Sequence, residues 1–100
     1  MKLVSVTKSS RPKKKLMAIF LHKGKYTTVH FGGEGYNDYT KYYKQNKVLA
    51  EEMKRRYLIR HTSNENWNDV TSAGALSRWI LWNKPTITAS INDFKRKYNL

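Results

Sequence analysis

The sequence predicts an α+β domain: a small antiparallel three-stranded sheet followed by three helices. Three observations carry that expectation. Residues 2–31 hold three short runs rich in β-branched and aromatic side chains, parted by turn residues. Residues 44–98 hold three stretches whose apolar side chains recur at helical spacing. No repeat or linker separates the two halves, so residues 1–100 form a single domain around one core.

Leu3, Val4 and Val6 mark the first strand, which ends where Ser9, Ser10 and Pro12 read as loop. Leu16 to His22 is the second strand, nearly all apolar and therefore central or well covered. Lys23-Gly24-Lys25 reads as a tight turn, and Tyr26 to Phe31 alternates as a third strand should. The stretch FGGEGYNDYT then breaks the strand. Its glycines could form an anion-binding nest, but Glu34 sits among them and would repel phosphate. A strained turn from sheet to helix is the preferred reading there.

Helices are expected near 44–61, 72–83 and 87–98. In the first, Leu49, Met53 and Tyr57 recur at helical spacing, while Val48 and Ile59 fall on another side, as in a helix wedged between the sheet and later helices. Thr71 or Ser72 can cap the second, which carries Leu76, Trp79 and Ile80. Ile87, Ile91, Phe94 and Tyr98 form an amphipathic stripe in the third. Lys95, Arg96 and Lys97 stand near its C-terminal end, where they favour the helix dipole. Trp67, Trp79 and Trp82 are expected in the core.

Charge dominates what can be said of function. Twenty Lys and Arg oppose seven Asp and Glu, a net charge of +13. Such an imbalance costs self-repulsion in the compact state, which a polyanion would relieve. Residues 1–50 carry eleven bases and two acids, so the N-terminal half is the expected electrostatic face. The longest apolar run, Leu16 to Leu21, is too short to span a bilayer, and no secretory leader is evident. The chain has no cysteine, hence no disulfide framework and no thiolate metal site. DNA is the expected partner, held through its phosphates; RNA and virion proteins are the other partners such a charge admits.

The candidate contacts follow the bases. Arg11, Lys13, Lys14 and Lys15 form one dense cluster, expected to be a loop or arm between two strands. Lys23 and Lys25 flank the hairpin turn. Lys41 and Lys44 interleave with Tyr36, Tyr39, Tyr42 and Tyr43, as stacking on unpaired bases would need, although some of these rings must serve the core. Lys54 and Arg55 could line a phosphate groove on the first helix, partly offset by Glu51 and Glu52. No catalytic set is expected. His22, His30 and His61 lack metal-ligand spacing, and nothing brings His30, Glu34 and Asp38 together as a nuclease-like group. No cofactor or metal is implied.

The segments GYNDYT, RRYLIRH, ENWND and TSAGALSRWILWNKPTITASINDFKRKYNL, in this order, resemble a family of short basic proteins of nucleocytoplasmic large DNA viruses, the giant viruses. The resemblance covers about Phe31 to Leu100. It implies a viral protein of the virion or the infected cell, but no established activity and no functional residues. Within it, Tyr36, Asp38, Arg60, His61, Trp67, Asp69 and Arg78 mix polar and aromatic types, and mutual structural support is the expected role. The resulting expectation is a non-enzymatic, largely sequence-independent DNA-binding protein of genome packaging or condensation. The alternative is a basic virion protein contacting acidic capsid or core proteins. No helix-turn-helix, zinc-finger or RRM signature argues for base-specific reading.

Overall fold

The computed structural model describes residues 1–100, and its class is α+β as expected. Three antiparallel strands, β1 (Lys2–Lys8), β2 (Lys14–His22) and β3 (Lys25–Gly33), form a sheet in the order β1-β2-β3. Four helices follow: α1 (Tyr39–Gln45), α2 (Lys47–His61), α3 (Ala73–Leu76) and α4 (Ile87–Tyr98), with α3 running directly into a π-helical turn, Ser77–Leu81.

The β2–β3 hairpin closes on the pair His22 and Lys25, leaving Lys23 and Gly24 as a two-residue turn. Both have positive φ, 50° and 76°, the twist that matches two right-handed strands. The pairing runs Leu16 to Phe31, Ala18 to Val29 and Phe20 to Thr27, so these positions share a face. Leu3, Ala18, Phe20 and Phe31 of the sheet are buried against Tyr39, Ala50, Tyr57, Leu76, Ile80, Leu81, Trp82 and Phe94. The helices thus form a layer on the sheet, and the core lies between.

Local chemistry sets the helix boundaries. Asp38 caps α1, its carboxylate accepting from the amides of Thr40 and Lys41. Asn46 is the point where the expected helix over 44–61 begins differently. Its backbone is extended (φ −163°), its amide closes α1 on the carbonyl of Tyr42, and its side chain caps α2 by accepting from Leu49 N. One asparagine therefore ends one helix and starts the next. Ser72 caps α3, Thr86 caps α4, and Asn99 leaves α4 in the left-handed conformation. The π turn follows from the bond of Trp82 N to Ser77 O at 3.1 Å, one residue longer than an α-helical step.

The expected faces hold for α4, whose Phe94 is buried and whose Ile87, Ile91 and Tyr98 pack against the core. They hold in part for α2, where Tyr57 is buried and Met53 packs against the core but Leu49 does not. Ala50 and Tyr57 are its buried residues, whereas Val48, Leu49 and Ile59 are exposed rather than wedged between layers. Close packing selects the small Ala50 there, and the larger neighbours face outward. The three tryptophans are structural as expected: Trp82 is buried, and Trp67 and Trp79 pack against the core.

Candidate nucleic-acid interface

The first acidic residue of the chain is Glu34, and eight lysines and arginines precede it. The whole sheet, which ends at Gly33, is therefore free of carboxylates. All seven acids lie in the helices and their loops, where the remaining bases also stand. The two layers differ in where their carboxylates lie. Among the bases of the helical layer Arg55, Arg56 and Arg96 pair with carboxylates, whereas on the sheet Lys15 alone does so, reaching across to Asp38.

The free cations of the sheet gather at its two ends. Arg11 and Lys13 are exposed in the β1–β2 connection, which the bonds Ser9 N to Lys15 O and Lys14 N to Arg11 O fold into a tight turn. Lys14 is exposed at the start of β2. At the opposite end Lys23 and Lys25 flank the hairpin turn, and every residue from His22 to Thr28 is exposed, including Tyr26. From Lys14 to His22 the strand rises about 26 Å, at roughly 3.3 Å per residue. That length matches about eight base pairs of duplex, which carries a charge per about 1.7 Å of axis.

Two of the sequence-derived contacts are not available. Lys15 belongs to β2, not to a flexible arm, and its Nζ lies 2.6 Å from Asp38 Oδ2. Both side chains are largely buried, at 14% and 4% exposure, so Lys15 neutralises the α1 cap instead of facing solvent. The reason is register: β2 overhangs β1 and pairs Lys14 with Gly33, which carries the end of the basic cluster into the sheet. Lys54 is likewise held inside. Its ammonium donates to the carbonyl of Asn83 at 2.9 Å and sits 4.9 Å from the Tyr39 ring centre. Burial pushes its pKa down, with Arg78 adding to the shift. Arg55 shares Glu52 with Arg56, at 2.7 and 3.1 Å, whereas Lys41 and Lys44 are exposed on α1.

The tyrosine run divides in the same way. Tyr39 is buried and donates its hydroxyl to Glu51, while Tyr42 and Tyr43 pack against the core. Tyr36 alone is open, at 76% exposure. It lies beside Gly33 on the segment that crosses from sheet to helix. Gly32, on the same segment, has φ +78°, and a Cβ there would stand 2.7 Å from Leu81 Cδ1. The glycine stretch is a close crossing between layers.

A cavity of about 450 Å³ opens where this crossing meets the helices. It is walled by the Lys14–Lys15 end of the sheet, by Tyr36 to Asp38, by the last turn of α2 and by the first turn of α3. Tyr57 stacks on Trp82 with ring centres 4.6 Å apart and planes 6° apart, and the His61 ring centre lies 4.4 Å from that of Tyr57. Glu65 stands 3.9 Å from His61 Nδ1 and packs on Gly74, where any Cβ would collide with its carboxylate. Of the seven polar and aromatic residues expected to support one another, Tyr36, Asp38, Arg60 and His61 line this one cavity. Glu65, Gly74 and Ser77 were not singled out, because nothing in the spacing of distant segments shows that they converge. Arg78 and Trp67 stand elsewhere, the guanidinium lying 4.3 Å from the Trp79 ring and 5.5 Å from the Trp67 ring while donating to Trp82 O.

No cluster of three His, Asp or Glu side chains has the arrangement of a metal site. No helix is long and apolar enough to cross a membrane. A model of a family of unknown function (DUF5754) matches residues 4–48, just under half of the chain. The match takes in most of the sheet, the glycine crossing and α1, so it falls on the basic layer and one wall of the cavity. No curated protein and no solved structure matches the chain.

Proposed function

We propose that this chain is a non-enzymatic nucleic-acid-binding domain that holds duplex DNA through its phosphates with little sequence preference. One observation carries the reading: a carboxylate-free sheet with unpaired cations at both ends. A phosphate backbone running along the sheet would supply the missing anions and release condensed counterions. The tip of the β2–β3 hairpin projects past the end of β1, which pairs with β2 only as far as Leu21, and its residues are open to solvent. Its side chains there are Lys, Thr and Tyr, which favour backbone contact over a base-reading code. The viral resemblance gives the proposal its setting, the packaging or condensation of a large DNA genome in the virion or the infected cell.

Competition tests the choice of partner. Labelled duplex DNA bound to the chain should be displaced by unlabelled duplexes of unrelated sequence about equally well. Displacement by one sequence alone would overturn the lack of preference. Failure to bind duplex DNA at low salt would overturn the proposal itself.

A further inference from the structure

We infer that the cavity between the sheet end and the helices is a pocket for a single nucleotide carrying an amino-bearing base. The choice of ligand class rests on the nucleic-acid reading above; the pocket itself rests on its own geometry. Its volume of about 450 Å³ falls within the roughly 300–1,000 Å³ typical of small-molecule sites. Its walls supply three complementary chemistries. Lys14 and Arg60, neither of which has a carboxylate partner, offer cations for a phosphate. Tyr36, open at the rim, offers an aromatic face for a base. Asn37 and the carboxylate of Glu65 offer acceptors for the N–H groups of a base edge.

The wall is built to hold that carboxylate. Gly74 leaves room for it, and a Cβ there would collide with Glu65 Oε2. Lys15 meanwhile cancels Asp38, so the second acid of the pocket does not repel an anion. A ligand that answers both the cations and the acceptors needs an anionic group and hydrogen-bond donors, as a guanine, adenine or cytosine nucleotide has. Thymine lacks the exocyclic amino group. The same nucleotide could arrive free or as an unpaired unit of a strand, with its neighbours on the basic rim.

The test uses the intact chain and 2′-deoxyguanosine 5′-monophosphate, with the nucleoside and inorganic phosphate as controls. The nucleotide should shift the amide resonances of Tyr36, Asn37, His61 and Gly74, and should bind more tightly than either control. Tyr36→Ala, an exposed change that leaves the core untouched, should weaken it about fivefold or more. Arg60→Ala and Glu65→Gln should each weaken it too, and Glu65→Gln should narrow the preference for guanine over thymine nucleotides. Shifts confined to sheet lysines, or binding by all three variants as tight as the parent's, would overturn the pocket. Tighter binding of a guanine-containing single strand than of the free nucleotide would assign the ligand to a strand; the reverse would assign it to a free nucleotide. The variant Lys23→Ala/Lys25→Ala separates the two readings, since it should weaken duplex binding and leave the mononucleotide affinity intact. Loss of all duplex binding with the nucleotide still bound would sink the DNA reading and spare the pocket.

Discussion

Lys14 and Lys15 are neighbours in one basic run, yet replacing each by alanine should change different properties. The Lys15 ammonium lies 2.6 Å from Asp38, and both side chains are largely shielded from water. Without it Asp38 keeps three donors, the amides of Thr40 and Lys41 and the Thr40 hydroxyl, but loses its counter-charge. Removing one partner of a buried pair costs about 3–5 kcal/mol, and the surviving hydrogen bonds set the lower end, about 3 kcal/mol. For a domain this small that lowers the melting temperature by roughly 12–24 °C, at about 4–8 °C per kcal/mol. Lys14→Ala removes an exposed charge and should stay within about 0.5 kcal/mol of the parent. In DNA titrations the effects reverse: Lys14→Ala should lower the salt slope by about 0.9, one phosphate contact, whereas Lys15→Ala should leave it unchanged. Thermal unfolding and salt-dependent binding of the two variants measure both. If Lys15→Ala melts with the parent and lowers the slope as Lys14→Ala does, the ion pair does not hold the sheet to α1 and the reasoning fails.

Alkaline stability should report on Tyr57, whose pKa burial pushes up to about 12 from 10, with the Glu65 charge adding to the rise. The folded state then keeps its proton longer than the unfolded one. Stability should be complete below pH 10 and fall as pH rises toward 12, by about 2–3 kcal/mol from this residue. Tyr57→Phe should remove that share of the decline in pH-dependent urea unfolding; an unchanged slope would count against it. Gly32→Ala combines a positive φ with a Cβ 2.7 Å from Leu81 Cδ1, and should cost about 2 kcal/mol or more. Denaturant unfolding checks it, and a neutral result would mean that the crossing relaxes freely.

The strands were legible because alternation and turn residues survive in the sequence: His22-Lys23-Gly24-Lys25 reads as a hairpin and is one. The start of β2 was not, since Lys14 and Lys15 look like loop residues and become strand only by pairing beyond the end of β1 against Gly33. Helix α1 escaped notice because Tyr39–Gln45 has two turns, no apolar stripe and a glycine stretch before it. On α2 the visible stripe of Leu49, Met53 and Tyr57 was misleading at its first member. Spacing alone does not show that Ala50, the smaller side chain, is the one admitted to the core. The basic face was readable as composition. The division between free cations and those held by Asp38 or Asn83 depends on contacts across 23 and 29 residues, which no local pattern encodes. The cavity is of the same kind, assembled from five separated segments.

The most direct measurement is duplex DNA affinity across salt concentrations, for the parent and for the variant with Arg11, Lys13, Lys14, Lys23 and Lys25 all changed to alanine. Six phosphate contacts would give the parent a slope near −5 in log K against log salt, and the variant should lose up to about 0.9 for each charge removed. Changing Lys95, Arg96 and Lys97 instead should matter less. Those side chains stand in the last turn of α4, with Lys97 lying 4.8 Å from the Trp79 ring and Arg96 3.4 Å from Asp93. A shallow parent slope, or a sheet variant that binds as the parent does while the α4 variant fails, would contradict a binding face on the carboxylate-free sheet.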